Sequence, residues 1–170
     1  MQALWSQYIN NLQQKPLQTK VITSLALGVT SNLISQSISN PNGRLDIAKL
    51  ARFATVSVAQ TPLIHLWYKL LEKLFGSINS KAIRVLVMVL SDQLIFSPLI
   101  VSFYLYLTAV LEGKKPEKEV KTKLPSTLVL RWKIWPVAQI LNFTLIPLQY
   151  RVLFGNLVAL IWGIALSIRK

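Results

Sequence analysis

Val85–Leu111 reads VLVMVLSDQLIFSPLIVSFYLYLTAVL, and its one formal charge is Asp92. A helix crossing a bilayer needs about 20 mostly apolar residues, and this stretch exceeds that. Working outward, further runs lack formal charge: Val21–Gly43, Phe53–Tyr68 with the only histidine, Ile134–Tyr150 and Val152–Ile168. Arg151 alone separates the last two. The basic residues collect between the runs, chiefly in Lys114–Lys133, as expected of loops beside a bilayer. The 170 residues carry 52% hydrophobic and 15% charged residues, with a mean hydropathy of +0.45. That excludes a disordered chain and leaves too little polar surface for an ordinary soluble enzyme. The absence of cysteine excludes disulfides and thiolate metal sites.

The net charge of +13 admits two partners, nucleic acid or anionic lipid. A nucleic-acid binder needs aromatics interleaved with its basic face. Here most aromatics lie inside the apolar runs, so the partner is the lipid bilayer and not nucleic acid. The first twenty residues hold neither the apolar core of a cleavable signal nor the arginines of a mitochondrial presequence.

The expected fold is all-α, a polytopic membrane helix bundle of about four spans, forming a single integral membrane domain. Ala3–Gln13, with Leu4, Trp5, Tyr8, Ile9 and Leu12, predicts an interfacial amphipathic helix. Lys15-Pro16 ends it, and Pro16 suits the first turn of the next helix. The spans are expected at Leu17–Ser39, Leu45–Phe75, Lys81–Leu111 and Arg151–Arg169. Asn32, Ser35, Gln36 and Ser39 form a polar stripe on the first, beside a ladder of Ser31, Ser35 and Ser39; such a face must meet protein or water. Asn40-Pro41-Asn42-Gly43 predicts a turn. Ala51, Thr55 and Ala59 suit close packing on the second span, Pro62 a bend, Trp67 and Tyr68 interfacial anchoring, and Lys69 and Lys73 snorkelling. Pro98 is expected to kink the third span. Residues 112–126 read as a charged, solvated loop. Residues 127–150 read as an apolar segment broken at Pro136 and Pro147. Gly155 and Gly163 leave room for a neighbour of the last span.

One histidine and six carboxylates offer little catalytic machinery, and no P-loop, paired-histidine or nucleophile-elbow motif is present, so no enzyme activity is expected. Asp92 is the sharpest polar residue, because a carboxylate inside a membrane helix must be paired or hydrated. Arg151, Lys69 and Arg84 are its candidate partners. It reads as a pore-lining or gating charge, or as a structural ion pair locking helices. Arg151 reads as an anion-attracting residue or as a mark of the bilayer edge. His65 reads as an axial ligand or, more often for a lone histidine, as a hydrogen-bonding core residue. Gln139 and Asn142 share a helix face and suit interhelical bonding.

Trp135-Pro136, Gln139, Asn142-Phe143, Pro147 and Arg151 spell W-P-x-x-Q-x-x-N-F-x-x-x-P-x-x-x-R. This resembles the signature of the Mpv-seventeen family, which also contains the peroxisomal membrane protein of twenty-two kilodaltons. Trp5, Tyr8, Leu12 and Pro16 resemble its N-terminal motif; Pro62, His65, Trp67 and Tyr68 its P-x-x-H-x-W-Y; Asp92-Gln93 with Pro98 its D-Q-x-x-x-x-P. Trp162 falls where its final helix carries a tryptophan. Ser31-Asn32 stands where the family often has Gly-Asp, and Thr61 where a glycine often precedes the proline. The missing acid counts against any mechanism needing two intramembrane carboxylates. The resemblance implies a small protein of about four spans in the mitochondrial inner membrane or the peroxisomal membrane. It implies a weakly selective channel linked to metabolite homeostasis. On that reading Asp92, Gln93, Asn32 and Gln36 line a polar path, with Lys69 or Arg151 as counter-charge, and the chain is a homo-oligomer or part of a larger membrane complex. A non-transporting subunit or scaffold is the alternative. No cofactor and no metal is expected, apart from a weaker haem or pigment reading at His65.

Overall fold

The computed structural model describes residues 2–39 and 43–168, and among them the regular structure is helical. Residues 40–42 of the expected turn and the end of the last expected span lie outside the described residues. By contact the chain divides into two compact units, Met1–His65 with Val152–Lys170, and Leu66–Arg151.

In the first unit, α1 (Gln2–Gln14) breaks at Lys15, and Pro16 opens α2 (Pro16–Ser39). A proline at a helix start forfeits only an N–H that had no partner there. The Thr19 hydroxyl sits 2.9 Å from the Lys15 carbonyl and 3.0 Å from that of Asn11, which ties the two helices. Trp5 and Tyr8 stack with ring centroids 5.6 Å apart. α3 (Ile47–Phe75) starts where the Asp46 carboxylate accepts the Lys49 N–H at 2.8 Å, and it runs on through Pro62.

The polar stripe of α2 meets protein. Gln36 accepts the Asp46 N–H at 2.8 Å and donates to Asn32 Oδ1 at 2.7 Å. The serine ladder faces α8 (Arg151–Ile168): Ser35 donates to the Gly163 carbonyl at 3.4 Å, and Asn156 donates to Ser24 Oγ at 2.6 Å. A Cβ on Gly163 would stand 3.0 Å from Ser31 Oγ, so small residues set the α2–α8 approach. On the other side Gly28 faces Ser57, while Ala51 and Thr55, expected to pack, are exposed. A Cβ on Gly28 would lie 2.6 Å from Ser57 Oγ and 3.2 Å from Ser57 Cβ. Gly28→Ala is therefore expected to destabilise by about 1–3 kcal/mol through overpacking. Thermal unfolding of Gly28→Ala and of Gly28→Ala with Ser57→Gly checks this; the second change restores most of the loss if the contact is the cause.

The second unit is built on one long apolar rod. Ser80 caps α4 (Lys81–Ser91), a π-helical turn follows at Asp92–Phe96, and α5 (Ser97–Leu111) completes it. The wide turn is marked by the Ser97 N–H bonding the Asp92 carbonyl, five residues back. Its cause is Pro98, whose ring would strike the carbonyl four residues earlier in a regular α-helix and which has no N–H to offer it. The helix distortion that accompanies Pro98 thus falls one turn earlier, beside Asp92.

α5 ends in a Schellman cap: Lys114 N–H bonds the Ala109 carbonyl at 2.9 Å, Gly113 N–H bonds that of Val110 at 3.1 Å, and Gly113 has φ 68°. The expected loop over 112–126 is corrected here. Most of it is helix, α6 (Pro116–Trp132), which packs back along α5. Pro116 starts it, Glu117 and Glu119 occupy the positive first turn, and Glu119 pairs with Lys123 at 2.5 Å one turn on. That bond from Lys123 holds the Glu119 carboxyl below its usual range. The alternating Lys and Glu are the solvated face of a helix, and Pro125 lies within it.

The segment 127–150 is broken as expected. α6 ends at Trp132, α7 (Trp135–Leu145) has Pro136 in its first turn, and Ile146-Pro147 leads into a 3-10 turn, Leu148–Tyr150, before α8. Among the described residues, two helices are long and apolar enough to cross a membrane, Pro16–Ser39 and Lys81–Leu111, with Leu148–Ile164 a shorter apolar one. α3 spreads Lys49, Arg52, Lys69, Glu72 and Lys73 along its length.

Candidate functional site: a buried polar network around Asp92

The polar side chains of the second unit gather at the π turn. In a wide turn, neighbouring residues can both face inward, and Asp92 and Gln93 do: they are 1% and 6% exposed. Asp92 Oδ1 accepts the indole N–H of Trp67 at 3.0 Å, and Oδ2 accepts Gln93 Nε2 at 2.8 Å. Trp67 is held by stacking on Phe96 at 4.8 Å, nearly parallel at 4°. The opposite charge acting on Asp92 is Arg131, and Gln139 lies near the same carboxylate. Arg131 is positioned by donating to Ser97 Oγ at 2.8 Å and by lying 4.1 Å over the Trp135 ring. Trp132 donates its indole N–H to the Gln93 carbonyl at 3.2 Å.

A second cluster adjoins the first through Gln139. Gln139, Asn142 and Phe143 sit at i, i+3 and i+4 on α7, so one face carries all three. Gln139 Nε2 donates to Tyr68 Oη at 3.1 Å, and Asn142 Nδ2 lies 3.3 Å from the same oxygen. Asn142 Nδ2 is also 2.9 Å from Gln139 Oε1 and 3.4 Å from the Arg151 carbonyl. The Tyr68 and Phe143 rings meet edge to face at 5.8 Å. Arg151 closes the network, donating Nη1 to Glu72 Oε2 at 2.8 Å and Nε to the Ile146 carbonyl at 3.2 Å, with its guanidinium 5.2 Å over Phe143. The Ile146 carbonyl is left open because Pro147 ends α7; the arginine satisfies it.

Several expected pairings are corrected. Arg151 is bonded to Glu72 rather than Asp92, and it is buried. Lys69 is exposed on α3, and Arg84 donates to the Gly76 carbonyl at 3.1 Å. Asn32 and Gln36 belong to the first unit, bonded to each other and to Asp46. His65, in that unit too, has its Nδ1 3.0 Å from Lys20 Nζ, which fits the hydrogen-bonding reading. Gln139 and Asn142 bond across helices as expected.

The sequence reading missed Glu72, Arg131, Ser97 and Trp132. Glu72 lies one helical turn after Tyr68, which was a usable signal; Arg131 was hidden among loop charges. The network offers carboxylate and amide oxygens, indole N–H groups and guanidinium, the equipment for holding polar groups in an apolar medium. Gln93 Oε1 and Asn142 Oδ1 are buried with no hydrogen-bond donor among the described residues. Each unmet acceptor of that kind costs about 1–3 kcal/mol.

A family model described as the Mpv17 / PMP22 family matches residues 109–167, which include α7 and most of α8. PXMP2/4 family protein 3 of Dictyostelium discoideum is 37% identical, covering 98% of this chain and 90% of its own length. Peroxisomal membrane protein 2 of Bos taurus is 33% identical over 92% of this chain and 84% of its own. Protein SYM1 of Gibberella zeae is 31% identical over 94% of this chain and 93% of its own. No solved structure matches.

Proposed function

The chain belongs to the Mpv17 / PMP22 family of membrane proteins, and on that premise we propose that it is a weakly selective small-solute channel of an organelle membrane, serving metabolite homeostasis. The family fits a mitochondrial or a peroxisomal membrane; the bovine relative carries the second in its name. In this reading α2, α3, the α4–α5 rod and α8 are the spans, the chain works as a homo-oligomer, and it catalyses no reaction. The observation that carries the reading is Asp92, a buried carboxylate at a π turn inside the most apolar long helix. A charge at that depth marks a polar path by default, and π turns are frequent at functional sites.

The scaffold reading has its own support, since Trp67 and Gln93 already hydrogen-bond both Asp92 oxygens. Electrical recording in planar bilayers, wild type beside Asp92→Asn, separates the two. Asparagine keeps the volume but removes the charge that faces Arg131. Discrete wild-type openings are expected, with the mutant shifted in conductance or toward anion permeability. Silence from folded, inserted protein, or identical single-channel behaviour in the mutant, favours the scaffold.

A further inference from the structure

We infer that the second unit holds a binding site for a small neutral hydroxyl donor, built from Gln93 Oε1, Asn142 Oδ1 and the Asp92 carboxylate. The donor is water or a small polyhydroxy solute; both present the same O–H groups. That the site lies on a permeation path rests on the channel reading; the site itself does not.

The first observation is the pair of unmet oxygens, on side chains 6% and 0% exposed. Their orientation is fixed. Turning the Gln93 amide would set its oxygen against Asp92 Oδ2, now 2.8 Å from Nε2. Turning that of Asn142 would set its oxygen against Gln139 Oε1 and the Arg151 carbonyl. Both amides are therefore locked with their acceptors unanswered, and what answers an acceptor is a donor. The second observation is connectivity. Gln93 bonds Asp92, Asn142 bonds Gln139, and Gln139 lies near enough to act on the Asp92 carboxylate, so both oxygens sit on adjoining parts of one polar cluster. Buried waters occupy such places, making two to four bonds to otherwise unmet groups.

Charge selects the ligand class. Arg131 acts on Asp92 and Arg151 pairs with Glu72, so each carboxylate of the network already has its counter-charge. A metal or ammonium cation entering here would meet two guanidinium groups. An anion would meet acceptor oxygens. A neutral O–H donor meets neither penalty.

The test is X-ray hydroxyl-radical footprinting of the full chain in lipid nanodiscs. Radiolysis of bound water labels adjacent side chains that bulk radicals do not reach. Tyr68 and Phe143, both buried in the network, are expected to label severalfold more than the buried Leu105 of α5 once each rate is divided by the intrinsic reactivity of its side chain toward hydroxyl radical. Gln93→Leu, with its fold checked by circular dichroism, is expected to lose most of that labelling. Adding glycerol separates the sources: labelling that falls, normalised to exposed Trp5, assigns a hydroxylated solute, and unchanged labelling assigns water; either supports the site. Wild-type Tyr68 and Phe143 labelled no more than Leu105 on that normalised scale overturns it, as does full labelling in Gln93→Leu. Loss on adding potassium chloride but not glycerol also overturns it, in favour of a cation. A chain silent in bilayers but labelled keeps the site and loses the channel; an active channel without labelling does the reverse.

Discussion

Replacing Arg151 with methionine is expected to lower the unfolding free energy by about 3 kcal/mol, the low end for breaking a buried ion pair. The low end applies because the Glu72 side chain is 36% exposed, so the carboxylate left behind can rehydrate. The Ile146 carbonyl also loses its donor, and Phe143 loses the cation on its ring face. Equilibrium unfolding in mixed micelles, followed by tryptophan fluorescence, measures the loss. Adding Glu72→Gln completes a double-mutant cycle: if the pair carries the effect, the double variant costs clearly less than the sum. A loss below about 1 kcal/mol would place the pair with weakly contributing surface bridges.

Asn142→Leu is the second large effect, expected at about 2–4 kcal/mol from Gln139 Oε1 and the Arg151 carbonyl losing a donor. Leucine keeps the branched shape but takes the N–H groups from Gln139 Oε1 and the Arg151 carbonyl, while Tyr68 Oη keeps its donor in Gln139. Asn142→Asp is expected to be worse, since it sets a carboxylate against Gln139 Oε1 and the Arg151 carbonyl, which only accept. The order of melting temperatures, wild type above leucine above aspartate, checks both; an aspartate variant as stable as the leucine one would mean that donation by Asn142 is not what holds the site.

The helices were legible because charge is rare in this chain and each gap in it is close to span length. Pro16, Pro136 and Pro147 mark real boundaries because proline restricts the backbone locally. The stretch 112–126 was not legible as helix: its propensity, first-turn acids and Glu119–Lys123 pairing are there to read, but Pro125 and the lysine density outweighed them. At the site, Asp92 and Gln93 were found from their depth in an apolar run. Their partners were not, because pairing across helices depends on the register of α3, α6 and α7 against the rod, which no local pattern encodes. Trp67 was read as an interfacial anchor although its indole N–H bonds Asp92. The family resemblance drawn from the Trp135–Arg151 signature is borne out by the relatives.

The division of the chain into units has a consequence for biosynthesis. The second unit, Leu66–Arg151, is one uninterrupted stretch. Its internal contacts need no residue made after Arg151. The first unit is begun earlier and completed later, because the Gly163 and Asn156 partners of Ser35 and Ser24 emerge last. Domains usually mature in the order of their synthesis. Here the N-terminal helices must stay inserted with the α8-facing side of α2 uncovered until α8 arrives. Until α8 packs, the serine face of α2 is the surface an insertase or membrane chaperone would have to shield.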